Sequence, residues 1–247
     1  MASREENRKL AQEHTEQMEV LHKHDIEKAF LDSKIYAPDS VFSVPETERM
    51  PILVFENIDS VSAVRKYSDP EFGKTALLNF ASYKHPGGKF LDGSMAQEEA
   101  ICHNSNLYNI LSRLDSYYAW NKLHLNRALY TNRAVYSPDV VFEGGVTCDV
   151  ITCAAPNRSV IRYGMITEEE NETALLERTR FVYNVAEENG VNTLILGAWG
   201  CGVFRQNPES VLKHFLNESK NRNFTNLIFA VPGTDRNAKV FSKIVER

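Results

Sequence analysis

The chain has 247 residues, of which 43% are hydrophobic and 25% are charged, and this is the composition of an ordinary globular protein. Its net charge of −5 and the absence of a basic stripe argue against binding along a nucleic-acid backbone by charge neutralisation. No apolar run approaches the roughly eighteen residues of a membrane helix, so we expect a soluble protein.

The sequence of the N-terminal half predicts three helices and two short strands. Residues 3–24 are rich in Glu, Lys, Arg and Gln, and they predict a helix docked on the main body through a narrow buried stripe of Leu10, Met18 and Leu21. A polar, turn-rich stretch follows to about residue 50. The remaining elements of this half are a strand over 52–57, a helix over 59–67 capped by Asp59 or Ser60, a strand over 75–82 and a helix over about 94–113.

The C-terminal half alternates strands with helices. Strands are predicted over 133–144, 148–157, 191–200 and 226–233, and helices over 166–190 and 207–220 and at the C-terminus. Thr167 is a good N-cap and Gly190 a good C-terminal stop for the longest helix. The alternation predicts an α/β sandwich with a largely parallel sheet, and the chain shows no repeat or linker. We therefore expect residues 1–247 to form a single domain.

The four cysteines indicate a reducing compartment. Cys102, Cys148, Cys153 and Cys201 form neither a CxxC pair nor the Cys/His spacing of a zinc site, so we interpret them as reduced thiols. The first residues, MASREENRKLAQEHTEQ, are too charged for a signal peptide. These features predict an intracellular protein, cytoplasmic or, in a eukaryote, nuclear.

Residues 86–108, PGGKFLDGSMAQEEAICHNSNLY, place a glycine turn about ten residues before two adjacent glutamates. The turn is either a surface turn before a solvated helix start, or a place where a ligand lies against bare backbone while a carboxylate performs acid–base chemistry. Gln97, Glu98 and Glu99 point about 100° apart on a helix and cannot all face one partner. One glutamate could orient a hydroxyl while its neighbour protonates a leaving group, with its pKa raised by apolar surroundings. Asn79 ends a predicted strand, at the edge where open α/β sheets bind ligands.

A second glycine cluster, LGAWGCGVFRQNP over 196–208, follows a strand and leads into a helix. Such glycines let backbone N–H groups approach an anion, although a purely structural turn explains them as well. The cluster lacks the Lys-Ser/Thr pair of a P-loop and the spacing of a dinucleotide fingerprint. Phe204 either walls in a sugar or base, or fills the core beneath the loop.

The segments NFASYKHPGGKFLDGSMAQEE and LGAWGCGVF together resemble the microbial-type poly(ADP-ribose) glycohydrolases. That family has a glycine triplet, then QEE, then a GCGVF-type diphosphate loop. AVYSPDVVFEG, ITCAAPN and the final AVPG strand also follow the order of the family, so the resemblance covers nearly the whole chain. It implies a macrodomain-like three-layer α/β/α sandwich with a mixed, largely parallel sheet and residues 1–50 as a helical N-terminal extension.

The resemblance implies hydrolysis of the ribose–ribose bonds of poly(ADP-ribose) with release of ADP-ribose, without metal or cofactor. Glu99 would be the catalytic acid and then base, and Glu98 would hold the hydroxyls of the distal ribose. The other implied substrate contacts are Asn79, Gly87 and Gly88 at the ribose, Gln97 in support of the loop, Gly200, Cys201, Gly202 and Val203 around the diphosphate, and Phe204 on the ribose.

The chain departs from the family at Lys89, which replaces the third glycine. If this position requires a positive φ, lysine there costs on the order of 1 kcal/mol. Its side chain would either crowd the substrate or point outward and attract a phosphate of the polymer. We expect the activity to survive in altered form.

Two other functions remain open: removal of a single ADP-ribose from a protein or small molecule, and binding of ADP-ribose without cleavage. The Glu98–Glu99 pair favours an enzyme, because a carboxylate beside an anionic diphosphate weakens binding. The expected partners are poly(ADP-ribose) or an ADP-ribosylated protein, with no membrane or nucleic acid, and the net charge favours a monomer.

Overall fold

The computed structural model describes residues 3–43, 47 and 49–244 of the chain. Residues 1–2, 44–46, 48 and 245–247 lie outside the described residues. The parts of the expected extension (1–50) and of the expected single domain (1–247) that fall on these positions lie outside them as well.

The described residues form one sheet of seven strands, flanked by nine α-helices. The strands are β1 (Lys34–Tyr36), β2 (Ile52–Glu56), β3 (Thr75–Phe80), β4 (Ala134–Val141), β5 (Thr147–Cys153), β6 (Thr193–Leu196) and β7 (Asn226–Ala230). The helices are α1 (Arg4–Leu21), α2 (Lys23–Asp32), α3 (Ser60–Tyr67), α4 (Gln97–His103), α5 (Leu107–Leu111), α6 (Asp115–Leu123), α7 (Glu168–Glu188), α8 (Pro208–Glu218) and α9 (Arg236–Phe241). No helix among the described residues is long and apolar enough to cross a membrane.

The sheet is mixed and largely parallel. Its strand order is β1-β4-β5-β3-β6-β7-β2. Strands β5, β3, β6, β7 and β2 run parallel to one another, whereas β4 is antiparallel to both of its neighbours. The expected fold class is confirmed.

Strand β3 separates the two helical layers. Ala76 and Leu78 pack with α7, α8 and α9, whereas Leu77 packs with α3, α4 and α5, because alternate side chains of a strand point to opposite faces. Both faces of β3 are therefore buried, which explains its continuous apolar run. The carboxyl ends of β5, β3, β6 and β7 open on one edge, and the two glycine-rich turns follow β3 and β6 at that edge.

The prediction of a turn-rich stretch after residue 24 and up to residue 50 is wrong over residues 25–36, where most of α2 and β1 lie. Ile26 and Ala29, three positions apart, are both fully buried and belong to the core layer that also contains Val135 of β4. Ser33 extends this contact through a hydrogen bond to the hydroxyl of Ser137 at 3.0 Å. Two buried residues in ten give too weak a helical pattern to be read from the sequence.

The buried stripe of α1 also differs from the prediction. Leu10 and Leu21 are 50% and 63% exposed, and of the predicted residues only Met18 is buried. The stripe instead consists of Ala11, His14 and Met18, in which His14 Nε2 lies 3.0 Å from the backbone oxygen of Ser105. Hydrophobicity alone favours Leu10 and Leu21 as the buried residues. The structure instead buries Ala11, which is small, and His14, which is polar but has a fixed partner.

The predicted helix over residues 94–113 is divided into α4 and α5. Ser105 forms an isolated bridge with Phe142, and the N–H of Asn106 donates to the carbonyl of Val141 at 3.0 Å. These contacts replace helical hydrogen bonds between the two elements. The prediction also omitted α6.

Met18→Ala tests the docking of α1. We expect the free energy of unfolding to fall by about 2 kcal/mol, since the substitution removes a buried side chain and leaves a cavity. Leu10→Ala on the same helix is the control, with an expected change below about 0.5 kcal/mol. Urea unfolding measures both, and equal losses would contradict the Ala11–His14–Met18 stripe.

Candidate functional site

The turn after β3 is built around two glycines in the left-handed region. Gly87 and Gly88 have φ values of +63° and +62°, whereas Lys89 has a φ of −113°, which any residue adopts. Lysine at the third position of the turn is therefore not strained. The Lys89 side chain is exposed.

Gly88 lies directly against both carboxylates of the glutamate pair. A Cβ on Gly88 would stand 2.7 Å from Glu99 Oε1 and 2.9 Å from Glu98 Oε2, closer than real Cβ contacts. Gly87 is enclosed in the same way by Tyr108 and Cys102. The missing side chain at position 88 makes room for two carboxylates.

Glu99 is held by the backbone of the turn and of the helix start. The N–H of Lys89 donates to its Oε1 at 2.9 Å, and the N–H of Ala96 donates to its Oε2 at 3.0 Å. Glu99 is the third residue of α4, so it reaches back to the helix cap as in a capping box. The carboxylate thereby joins the glycine turn to the N-terminus of α4.

Glu98 is buried and faces β3. The N–H of Ser82 donates to its Oε2 at 2.7 Å, and the Asn79 amide donates to its Oε1 at 3.3 Å. Burial raises the pKa of Glu98 to about 8. The hydrogen bonds from Ser82 and Asn79 act in the opposite direction and lower this pKa, whereas the nearby Glu99 raises it further. Glu98 is therefore predominantly protonated at pH 7.

Gln97 fastens the start of α4 to the sheet. Its Oε1 accepts from the N–H of Phe80 at 2.8 Å, and its Nε2 donates to the carbonyl of Leu78 at 3.0 Å and to the hydroxyl of Ser60 at 3.1 Å. Gln97, Glu98 and Glu99 thus have three separate sets of partners, as their helical spacing predicted.

Asn79 is fully buried behind Glu98. Besides Glu98, its amide contacts the hydroxyl of Thr152 on β5 at 3.3 Å. Its Oδ1 has no hydrogen-bond partner within the described part of the chain. Asn79 is positioned to orient Glu98.

The loop after β6 carries the second glycine cluster. Gly200 has a φ of +73°, and a Cβ there would lie 2.8 Å from the Cβ of Ala155. Over residues 3–43, 47 and 49–244, no acceptor takes the N–H groups of Gly202, Val203 or Phe204. Val203 is 82% exposed. The segment can offer several N–H groups to an anion.

An aromatic cluster connects the loops after β3 and β6. Tyr83 and Tyr130 stack with their centroids 4.2 Å apart, and Phe204 packs on Tyr130 at 5.8 Å. Phe204 remains partly exposed, so it is packed on one side and open on another. The stack was missed from the sequence because Tyr83 and Tyr130 lie far apart in the chain and no local pattern joins them.

Arg178 of α7 is a buried cation beside the second loop. It is 1% exposed and donates to the carbonyl of Ala154 at 2.6 Å, to the carbonyl of Leu129 at 3.1 Å and to Asn132 Oδ1 at 2.7 Å. None of the carboxylates in the described residues pairs with it. Its charge is therefore not neutralised by a carboxylate within residues 3–43, 47 and 49–244. Arg178 was not predicted as a site residue, because a single arginine on a helix rich in charged residues gives no local signal.

Two cavities flank the second loop. One, of about 540 Å³, is bordered by Ser60, Phe80, Gln97 and Ala198 among others. The other, of about 660 Å³, is bordered by residues that include Cys201, Gly202 and Val203, and Asn237 borders both. Glu98 and Glu99 line neither cavity; they lie beneath the Gly88 turn at the same edge of the sheet.

The chain is similar to known proteins of one family. The sequence model of the microbial-type PARG catalytic domain matches residues 5–143. The structure of poly(ADP-ribose) glycohydrolase from Thermomonospora curvata is similar with a TM-score of 0.85 and 27% identity, over 98% of this chain and 99% of that one. Poly(ADP-ribose) glycohydrolase from Deinococcus radiodurans in complex with ADP-ribose is similar with a TM-score of 0.74 and 27% identity, over 90% and 97%. A comparison with curated proteins found no match.

Glu98→Gln tests the raised pKa of Glu98. The unfolded chain binds a proton here near pH 4.5 and the folded chain near pH 8, so Glu98 lowers stability progressively as the pH rises through this window. We expect Glu98→Gln to raise the Tm by a few degrees at pH 8, and the gain to vanish near pH 4. A gain in Tm that does not change with pH would contradict the assignment.

Proposed function

We propose that this chain, which belongs to the microbial-type poly(ADP-ribose) glycohydrolase family, hydrolyses the O-glycosidic ribose–ribose bonds of poly(ADP-ribose) and releases ADP-ribose. The observation that carries the proposal is the contact of one glycine turn with two carboxyl groups, one of which has its pKa raised to about 8. A protein that only binds an anionic ligand gains nothing from this pair.

We assign Glu99 as the acid that protonates the leaving ribose oxygen and then as the base that activates water. Its two oxygens accept from Lys89 and Ala96, which fixes the carboxyl group relative to the turn. Each oxygen keeps a second lone pair for the proton or for the substrate. A substrate lying over Gly88 would meet this group directly.

Glu98 has a different role in this proposal. As a neutral carboxyl it can donate a hydrogen bond to a ribose hydroxyl, and it adds no negative charge opposite an anionic substrate. Asn79, which the resemblance places at the ribose, is fully buried, and we assign it to positioning Glu98. Gln97 supports both by fastening α4 to β3.

The diphosphate is assigned to the loop after β6. The N–H groups of Gly202, Val203 and Phe204 have no acceptor within the described residues. Arg178 donates to the carbonyl of Ala154, and the next residue, Ala155, lies against Gly200, so the positive charge of Arg178 is close to this loop. One face of Phe204 packs on Tyr130, and its exposed face would contact the ribose.

We further propose that α1 is part of the catalytic domain. Arg4 Nε donates to the carbonyl of Asp92 at 2.9 Å, directly after the Gly-Gly-Lys turn. A Cβ on Gly93 would overlap the backbone of Arg4, so the helix and the turn lie in close contact. The extension thus supports the turn from behind.

Glu99→Gln tests the assignment of the acid. The native chain is expected to release ADP-ribose from poly(ADP-ribose), and the variant to lose about 100-fold or more in kcat while it still binds ADP-ribose. Chromatography of the released nucleotide and calorimetry of ADP-ribose binding measure the two properties. Glu188→Gln, an exposed change of the same type on α7, is the control and should retain full activity.

If the native chain and Glu99→Gln both bind ADP-ribose and neither releases it from the polymer, the hydrolase proposal is wrong. Such a result would favour a protein that binds ADP-ribose without cleaving it.

A further inference from the structure

Three exposed lysines, Lys84, Lys89 and Lys122, border the glycine turn, and we call them the lysine rim. Lys84 lies in the loop after β3, and Lys122 lies on α6. The Asn121 amide donates to the carbonyl of Tyr83 at 2.8 Å, which brings the residues next to Lys122 and Lys84 into contact. Lys89 joins the rim to the carboxylates, because its N–H binds Glu99.

The rim is a local concentration of positive charge on a chain of net charge −5. Within the described residues, no carboxylate lies within 4.0 Å of the three ammonium groups, in contrast to Lys28 and Lys66, which form ion pairs. The pKa of His85 is lowered by burial and then by Lys122, Lys84 and Lys89, with Asp92 as the opposing charge. The three rim lysines are therefore all close enough to His85 to lower its pKa.

A buried guanidinium lies beneath the rim. Arg133 is 8% exposed and donates to Asn121 Oδ1 at 3.0 Å and to the carbonyl of Tyr117 at 3.1 Å. Like Arg178, it has no carboxylate partner in the part of the chain that the structure describes. Its charge adds to the positive field on this flank of the turn.

The rim is separate from the loop assigned to the diphosphate of the released ADP-ribose. None of its lysines borders either cavity beside the loop after β6, and Lys89 lies on the glycine turn, next to the carboxyl groups where the bond would be cleaved. If the bond is cleaved at Glu99, the ADP-ribose unit that is released occupies that loop, and the rest of the polymer must leave along another surface. Each further unit carries a diphosphate, for which lysine is a common ligand.

We propose that the lysine rim binds the diphosphate of the polymer unit beyond the scissile bond, and that it makes the chain prefer polymeric to monomeric ADP-ribose. The inference rests on the proposed function. It also assigns a purpose to Lys89, whose backbone stays in an unstrained turn while its side chain reaches solvent.

The test measures binding by the full-length Glu99→Gln chain, which should not consume the polymer. Adding Lys84→Gln and Lys122→Gln is expected to weaken the Kd for poly(ADP-ribose) about tenfold at low salt and to change the Kd for free ADP-ribose less than about twofold. The slope of log Kd against log salt should fall by about 1.4, since each of the two lost phosphate contacts on a single-stranded polyanion contributes about 0.7. Lys89→Gln should weaken polymer binding further.

Lys213→Gln with Lys220→Gln removes the same charge from exposed positions at α8 and is the matched control. Equal polymer affinity in the rim and control variants would overturn the inference, as would equal weakening for polymer and free ADP-ribose. If the native chain releases no ADP-ribose, the proposed function fails, but the comparison of the rim and control variants still decides the inference. If Glu99→Gln binds no polymer, the inference fails.

Discussion

The close approach of Gly88 to two carboxyl groups is the constraint on which the rest of the site depends. A single methyl group at this position would stand within 3 Å of both Glu98 and Glu99. The turn can therefore lie on the glutamates, and its next N–H can bind Glu99, only because the residue has no side chain. This contact joins the turn after β3 to the start of α4.

The site handles negative charge in two ways. Burial keeps Glu98 neutral at pH 7, so a second carboxylate does not oppose an anionic substrate. On the other side of the site, Arg178 and Arg133 are buried and bonded to carbonyl and amide oxygens, so their charges are not neutralised by carboxylates among the described residues. On a chain of net charge −5, these two buried cations are a local source of positive charge beside the proposed substrate site.

The sequence predicted the parts of this arrangement that depend on local chemistry. Strands β2 to β7, the caps at Thr167 and Asn207 and the two glycine turns lie near the positions that their patterns indicated, because each is determined by neighbouring residues. The stripe of α1, the division between α4 and α5 and the Tyr83–Tyr130 stack depend on partners distant in the chain, and no local pattern encodes them. The role of Gly87 and Gly88 in exposing backbone to a ribose stays a prediction; the contact of position 88 with Glu98 and Glu99 could not be read from the sequence.

The most direct measurement of the central claim is the rate of ADP-ribose release by Gly88→Ala compared with Gly145→Ala. Both glycines have positive φ, but a Cβ on Gly145 has no atom within 4 Å, so the pair separates backbone strain from contact with the glutamates. The account predicts a loss of about 100-fold in kcat for Gly88→Ala, since it displaces the acid, and near-native kcat for Gly145→Ala. Similar rates in the two variants would contradict it.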